Sequence, residues 1–177
     1  MRGTRDTVLS VSELSRLAKT VAEAKDANAV FAAVADAASV WIGHQLFTVM
    51  VFDAESMQVE RLYSSNPKVY PPGGRKLKRD TAWGRRVLEE GRPYIGRNAE
   101  DIRSNFSDHE LILGLGLESV MNVPVRILGR TIGTMNLLHR ADYYDAADLE
   151  CGYFLAGQLV GPLCMVKTLV LASKGKP

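Results

Sequence analysis

The chain has 177 residues, of which 46% are hydrophobic and 24% are charged, and its formal net charge is +2. These values fit one globular domain and argue against intrinsic disorder and against a strongly basic, nucleic-acid-binding surface. Cys151 and Cys164 are the only cysteines, and His44, His109 and His139 are scattered along the chain. No zinc-binding spacing can be built from them, so we expect no metal site.

The start of the chain, MRGTRDTVLSVSEL, lacks the apolar run of a signal peptide. Two cysteines are also too few for a disulfide framework, which favours a reducing compartment. We therefore expect a cytoplasmic protein.

Two helices are predicted next. Ser10 or Ser12 caps the first, and Asp26 or Asn28 starts a second, more apolar helix that continues through Trp41 and ends at Gly43. The first helix is amphipathic, because its apolar residues recur at three- and four-residue steps. These residues are Leu14, Leu17, Ala18, Val21 and Ala24.

Strands are predicted over residues 46–53 and 57–65, joined by a turn at residues 54–56. Residues 66–80 contain three prolines and two glycines and therefore predict a surface loop. The loop carries a basic run that continues into the next segment: Arg75, Lys76, Lys78, Arg79, Arg85 and Arg86. These side chains either form a lip that attracts an anion or are solvated, and the solvated loop is the favoured interpretation because acidic residues follow closely.

Residues 81–90 predict a short helix, residues 94–95 a strand, and residues 98–115 irregular or short helical structure. Residues 117–140, LESVMNVPVRILGRTIGTMNLLHR, predict a hairpin. Side chains alternate with period two in both arms, and the turn is centred on Leu128-Gly129-Arg130. One face of this hairpin is expected to lie in the core.

From Ala146 the pattern predicts one long helix whose apolar run, residues 153–172, is long enough to span a bilayer. Gln158, Pro162 and Lys167 interrupt that run, so a buried helix or a dimer interface is favoured over membrane insertion. Pro162 is expected to kink or break the helix. Gly157 and Gly161 suit close helix packing in either setting.

The hairpin strings S-V-M-N-V-P-V and G-T-M-N-L resemble the central hairpin of GAF domains. Residues 44–53 resemble the first strand of that family, residues 59–65 the second, and residues 81–94 its helix and following strand. The resemblance covers residues 27–160, between an N-terminal amphipathic helix at residues 1–26 and the end of the C-terminal helix and tail at residues 161–177. It implies an α+β fold in which a central antiparallel sheet of five or six strands has N- and C-terminal helices on one face and short pocket-forming helices on the other.

The sequence shows no catalytic motif such as G-x-S-x-G, H-E-x-x-H or a Walker loop. Free methionine-R-sulfoxide reductases of the GAF family use pocket cysteines and bilin-binding members attach their chromophore to one, whereas Cys151 and Cys164 both fall on the terminal helix. Cyclic-nucleotide-binding members carry an Asn-Lys, Phe, Asp-Glu signature. Asn98 and Phe106 match it, but Ala99 replaces the lysine and the acidic pair is separated.

The resemblance instead implies a noncovalent pocket between the sheet and residues 81–115. Aromatic residues would form its walls, polar residues would anchor a ligand, and His139 is a possible acid or base. The candidate ligand-binding residues are Tyr63, Trp83, Tyr94, Phe106, Ser119, Asn122, Asn136 and His139. The alternative is that the aromatic residues are plain core, that the amides satisfy neighbouring backbone groups, and that His139 is a strand-end histidine bonded to a loop.

The expected function is that of a stand-alone sensory module that binds an unidentified small molecule. Because the chain ends soon after the last helix, we expect signalling in trans, through a homodimer in which the first and last helices pack together, without nucleic acid or membrane. The ligand, and whether any cofactor is used, do not follow from the sequence. The alternatives are a dimerisation or scaffold module with a filled pocket and, third, an enzyme, either methionine sulfoxide reductase-like or with a site around His139, Arg85 and Asn122.

Overall fold

The computed structural model describes residues 9–174, with side chains through Thr168. It contains one six-stranded antiparallel sheet of order β3-β2-β1-β6-β5-β4. The strands are β1 Leu46–Asp53, β2 Gln58–Ser64, β3 Gly73–Leu77, β4 Tyr94–Gly96, β5 Ser119–Ile127 and β6 Arg130–His139. The helices are α1 Val11–Glu23, α2 Ala27–Trp41, a π-helix Gly84–Glu89, α3 Ala99–Asn105, α4 His109–Gly114, α5 Asp148–Gln158 and α6 Val160–Lys174.

One face of the sheet is covered by the terminal helices. Helices α2, α5 and α6 pack on the sheet, and α1 packs on α2 through the buried Leu17. The buried apolar residues between the sheet and these helices form the main core. Because side chains alternate along a strand, Met121, Val123 and Val125 of β5 all lie in it. The predicted α+β arrangement is confirmed for this face.

The other face carries the short helices. The π-helix contacts β5 and β6, α3 contacts β5, and α4 packs on α3. Two smaller apolar clusters lie here, one around Tyr70, Ile102 and Ile112 and the other around Trp83 and Val87. The space between the sheet and these helices is where a pocket is expected.

The helix starts follow from local hydrogen bonds. Ser10 caps α1 in a capping box with Glu13, in which each side chain accepts a hydrogen bond from the other residue's backbone N–H. Asp26 caps α2 by accepting from the N–H of Ala29, so of the two predicted starts it is Asp26, not Asn28, that caps the helix. Gly43 follows α2 with φ +96°, as expected for a helix end.

Two predicted elements differ from the structure. The expected surface loop at residues 66–80 contains β3, which pairs with β2 through Lys76 opposite Val59. The expected single C-terminal helix is two helices, α5 and α6, bent by about 40° at Leu159. Pro162 lies in the first turn of α6, where its missing N–H breaks no intrahelical hydrogen bond.

The predicted apolar run includes residues 169–172, and the structure describes the backbone of these residues but not their side chains. Residues 1–8 and 175–177 lie outside the described part of the chain altogether. Within residues 9–174, no single helix is long and apolar enough to cross a bilayer, and α5 and α6 reach that length and composition only when they are counted together.

Candidate functional site

A small, partly open cavity lies between the sheet and the short helices. The space inside it that is open to water-sized molecules is about 30 Å³, which is room for about two waters. Its lining residues come from the sheet, the segment before the π-helix, and α4 with its preceding loop. They are Thr48, Met50, Tyr70, Lys76, Lys78, Trp83, Phe106, Asp108, Ile112, Val120, Asn122, Asn136 and Leu138.

A row of hydrogen-bonded polar side chains forms the floor of the cavity. Asn122, Asn136 and Thr48 lie opposite one another on β5, β6 and β1. Trp83 Nε1 donates to Asn122 Oδ1 at 2.9 Å, and Asn122 Nδ2 donates to Asn136 Oδ1 at 2.7 Å. Asn136 Nδ2 then donates to Thr48 Oγ1 at 3.1 Å. The amides are thus satisfied mainly by side chains, as buried polar groups require.

The segment from Lys78 to Gly84 positions two cavity residues. Thr81 Oγ1 donates to the carbonyl oxygen of Lys78 and accepts from the N–H of Gly84, at 3.0 and 2.9 Å. A Cβ at Gly84 would clash with the carbonyl oxygen of Lys78, so only glycine fits there. This turn holds Lys78 and Trp83 side by side at the start of the π-helix, an element that is frequent at functional sites.

Lys78 is the most unusual residue of the cavity. It is only 7% exposed, and its ammonium has no hydrogen-bond or ion-pair partner among the described residues. The Nζ atom lies 4.9 Å from the centroid of the Trp83 ring and 5.8 Å from that of Phe106. Burial, and then the nearby positive charge of Lys76, lower the pKa of Lys78 below its ordinary value.

Asp108 links α4 to β3 and to the β2–β3 connection. Lys76 Nζ lies 2.5 Å from Asp108 Oδ2, and the Tyr70 hydroxyl donates to the same oxygen. Burial alone would raise the pKa of Asp108, but these two hydrogen bonds outweigh it and the pKa is lowered. Arg61 stacks on the Tyr70 ring at 3.6 Å and donates to the carbonyl of Pro71, which holds the connection in place.

Four of the eight predicted site residues line the cavity together: Trp83, Phe106, Asn122 and Asn136. The other four lie elsewhere. Tyr63 packs against Phe31 and Phe47 on the face that carries the terminal helices. Tyr94 packs behind Phe106, and its hydroxyl accepts a hydrogen bond from Asn105.

Ser119 is fully buried and lies two residues before Met121, on the helix-covered face of β5. His139 stacks on Tyr143 with ring centroids 3.4 Å apart, and its Nδ1 accepts from the N–H of Arg140. His139 and Arg85 are both absent from the cavity lining, so the structure does not place them in one site with Asn122.

The predicted site residues did not include Tyr70 or Asp108, and Lys78 was named only as part of the basic run. The basic run is not simply a solvated loop, because Lys78 is buried and Lys76 is paired, although Arg75, Arg79, Arg85 and Arg86 are exposed. No local pattern marked this arrangement, because the strand that carries Lys76 begins with two glycines after two prolines, and Lys78 follows the end of that strand. Tyr70 and Asp108 gave no local signal, because they meet across 38 positions.

A second, wider concavity of about 400 Å³ lies between α6 and the β1–β2 turn. It is larger than the cavity between the sheet and the short helices, but its charged residues of both signs, such as Asp53, Glu55 and Arg130, are exposed to solvent. Water satisfies such groups without a ligand. The cavity between the sheet and the short helices, which is lined by buried polar groups, is therefore the better candidate site.

The thiols and possible metal ligands lie away from the cavity. Cys151 belongs to the main core on the opposite face of the sheet, and Cys164 packs against that core from α6. Within the described part of the chain, no group of three His, Cys, Asp or Glu side chains could hold a metal ion.

Comparisons with known proteins agree with this fold. The sequence model of the GAF domain matches residues 24–160, whereas no curated protein sequence gives a match. The GAF domain of a phosphoenolpyruvate-protein phosphotransferase from Coxiella burnetii superimposes with a TM-score of 0.74 at 13% identity, covering 90% of this chain and 95% of that chain.

Two further solved structures share the fold. The GAF domain of the Acinetobacter phosphoenolpyruvate-protein phosphotransferase has a TM-score of 0.72 at 12% identity, with 89% and 94% of the two chains covered. Free methionine-R-sulfoxide reductase from Neisseria meningitidis, in complex with its substrate, has a TM-score of 0.68 at 16% identity, with 96% of each chain covered. Since the family's sequence model covers most of the chain and the fold agrees, this protein belongs to the GAF domain family of sensory and regulatory modules.

Proposed function

We propose that this protein is a sensory module that binds a small molecule noncovalently in the cavity between the sheet and the short helices. The observation that carries the proposal is the floor of the cavity, where Trp83, Asn122 and Asn136 present polar atoms between the apolar walls of Met50 and Val120. A concave, mainly apolar site with a few fixed polar groups is the usual form of a small-molecule site.

Ligand binding requires the cavity to widen, because about 30 Å³ admits only about two waters. The contacts of Asp108 with Lys76 and Tyr70 join α4 to the β2–β3 connection. Separation of these contacts would move α4 away from β3 and enlarge the space. Binding would therefore be coupled to a displacement of α4.

We propose that occupancy is reported in trans through the terminal helices of a homodimer. Tyr153, Gly157, Gly161 and Met165 recur every four residues along α5 and α6, and all four are exposed, Met165 by 63%. Val11 of α1 is 78% exposed as well. Helix α5 packs directly on β5, whose other face carries Asn122, so a change in the cavity has a short mechanical route to this stripe.

A scaffold or dimerisation module with a filled cavity is the second candidate function. It is favoured by the small volume of the cavity and by the mutual satisfaction of Asn122 and Asn136. We propose no catalytic role like that of the structurally similar methionine sulfoxide reductase, because Cys151 and Cys164 pack on the opposite side of the sheet from the cavity.

The proposal is tested by a thermal-shift screen against small metabolites of positive, negative and zero charge. A hit is then titrated against a Trp41→Phe variant, in which Trp83 is the remaining tryptophan and reports on the cavity through its fluorescence. A saturable change in both measurements supports the sensor. If no compound of any charge changes either measurement, the sensor proposal fails and the scaffold is favoured.

A further inference from the structure

We infer that the cavity takes a small organic carboxylate whose anionic group pairs with the ammonium of Lys78. This inference rests on the proposed function and names the class of ligand. Lys78 lines the cavity, is 7% exposed and has no hydrogen-bond or ion-pair partner among the described residues. A buried charge without a partner is costly, and buried charges in proteins are normally paired or bound to a ligand.

The charge of the lining supports an anion rather than a neutral ligand. The lysine and carboxylate side chains of the lining are Lys76, Lys78 and Asp108. Lys76 and Asp108 form an ion pair with each other, so the positive charge of Lys78 is left over. One negative charge on the ligand would balance it in a site where the low dielectric strengthens such a pair.

The walls of the cavity favour an organic anion over an inorganic one. The ring centroids of Trp83 and Phe106 lie 4.9 and 5.8 Å from the Lys78 ammonium, and Ile112, Val120 and Leu138 add apolar surface. An apolar group next to the anion would bury surface against them, which a hydrated inorganic ion cannot do.

The cavity wall already holds one carboxylate, the side chain of Asp108. Asp108 accepts from Lys76 and from the Tyr70 hydroxyl, so the cavity wall offers the donor types that a carboxylate uses. A ligand carboxylate would pair with the neighbouring Lys78, and it would compete with Asp108 if it approached Lys76. This competition gives a physical reason for α4 to move when the ligand binds.

The experiment uses carboxylates and their neutral amides as probes. The pairs are acetate and acetamide, propionate and propionamide, and benzoate and benzamide, titrated at constant ionic strength into the Trp41→Phe protein with Trp83 fluorescence as the readout. Inorganic phosphate and chloride are titrated separately. We expect at least one carboxylate to bind saturably and its amide to bind about 10-fold or more weakly, as the loss of a charge-assisted hydrogen bond implies.

The variants are Lys78→Met and, as a matched control, Lys68→Met, which removes an exposed lysine of the β2–β3 connection. Lys78→Met should weaken carboxylate binding by about 10- to 100-fold and leave amide binding unchanged, whereas Lys68→Met should bind as the parent does. Circular dichroism checks the fold of each variant. Lys78→Gln replaces Lys78→Met if the methionine variant does not fold.

Several results would overturn the inference. These are equal binding of a carboxylate and its amide, full carboxylate binding by both position-78 variants, and phosphate binding as strong as the best carboxylate. A neutral or cationic metabolite that binds in the cavity where every carboxylate fails would overturn the inference and leave the sensor standing. Failure of all compounds of every charge would overturn both.

Discussion

Lys78 and Asp108 are two buried charges that lie in the same cavity wall and differ in their partners. Asp108 is paired with Lys76 and hydrogen-bonded by Tyr70, and its pKa is lowered. Lys78 has no such partner among the described residues, and its pKa is lowered as well, chiefly by burial. For an acid a lowered pKa means that folding stabilises the charged form, whereas for a base it means that folding destabilises it. The charge of Asp108 should therefore stabilise the fold, and the charge of Lys78 should destabilise it.

Lys78→Met should raise the free energy of unfolding at pH 7 by about 1 kcal/mol, because it removes a buried, unpaired charge that the rings of Trp83 and Phe106 offset only in part. The pKa of Lys78 in the folded protein lies below its unfolded value of about 10.4. At a pH between these two pKa values, the unfolded chain therefore binds more protons than the folded protein does. The parent protein should gain stability as pH rises through that window, and its difference from the variant should shrink. Urea denaturation at several pH values measures this. A variant less stable than the parent at pH 7 would contradict it.

Asp108→Asn should lower the free energy of unfolding by about 1–2 kcal/mol at pH 7, because Lys76 loses its ion pair in a site where both side chains are at most a quarter exposed. The folded pKa of Asp108 is lowered, so its contribution is complete above the unfolded pKa of about 3.9 and is lost as pH falls through the folded pKa. The difference between parent and variant should thus be constant from pH 5 upwards and shrink below pH 4.

The control for Asp108→Asn is Glu110→Gln, which removes an exposed carboxylate from the same helix. It should change stability by no more than about 0.5 kcal/mol. Equal effects of the two substitutions would show that the Asp108 ion pair contributes nothing specific.

At the scale of elements, the close packing of β6 against β1 and α6 depends on one glycine. A Cβ at Gly133 would clash with the carbonyl oxygen of Met50 in β1 and would lie 2.7 Å from Leu163 Cδ1 in α6. The strand backbone and a buried helix residue cannot both move away without disturbing the main core. Gly114 at the end of α4 differs, because a Cβ there meets nothing within 4 Å.

Gly133→Ala should lower the free energy of unfolding by about 1–3 kcal/mol through this overpacking. Gly114→Ala should leave stability unchanged or slightly raised, because alanine favours the helix over glycine. The midpoints of thermal or urea unfolding compare the two variants directly. A Gly133→Ala protein as stable as the parent would show that α6 does not press on β6 as described.

Local patterns predicted most of the elements. The capping box at Ser10, the period-two alternation of β5 and β6 and the Gly129 turn are signals carried by neighbouring residues. Strand β3 was hidden because Pro71 and Pro72 precede it and two glycines begin it, and the pairing with β2 that overrides this loop composition is a tertiary contact. The break between α5 and α6 was expected near Pro162 and lies three residues earlier, since a proline fits the first turn of a helix.

At the scale of the whole molecule, the resemblance of the hairpin predicted the family and the arrangement of helices on the two faces of the sheet. The site was predicted less completely, because its residues converge from distant segments. Asn122 and Asn136 could be placed through the alternation of their strands, whereas Tyr70 and Asp108 meet only in the folded protein. Tyr63 and Ser119 were assigned to a pocket although they lie on the opposite face, since the sequence does not fix which face of each strand turns toward the cavity.

The proposed homodimer gives a prediction at this scale. Met165→Glu should shift the protein toward monomer, because it places a charge in the exposed stripe of α5 and α6. Leu128→Glu is the control, since Leu128 is 95% exposed at the tip of the β5–β6 hairpin. Light scattering coupled to size exclusion at several concentrations measures the mass. A monomeric parent protein, or a dimer unchanged by Met165→Glu, would contradict the proposal.

Methyl NMR of methionine-labelled protein tests directly whether a small molecule binds between the sheet and the short helices. Met50 lines the cavity, whereas Met121 and Met135 lie in the main core on the other face of the sheet. During titration with a hit from the metabolite screen, the Met50 signal should move saturably and by more than those of Met121 and Met135. A saturable ligand that leaves Met50 unmoved would place binding elsewhere and contradict the account.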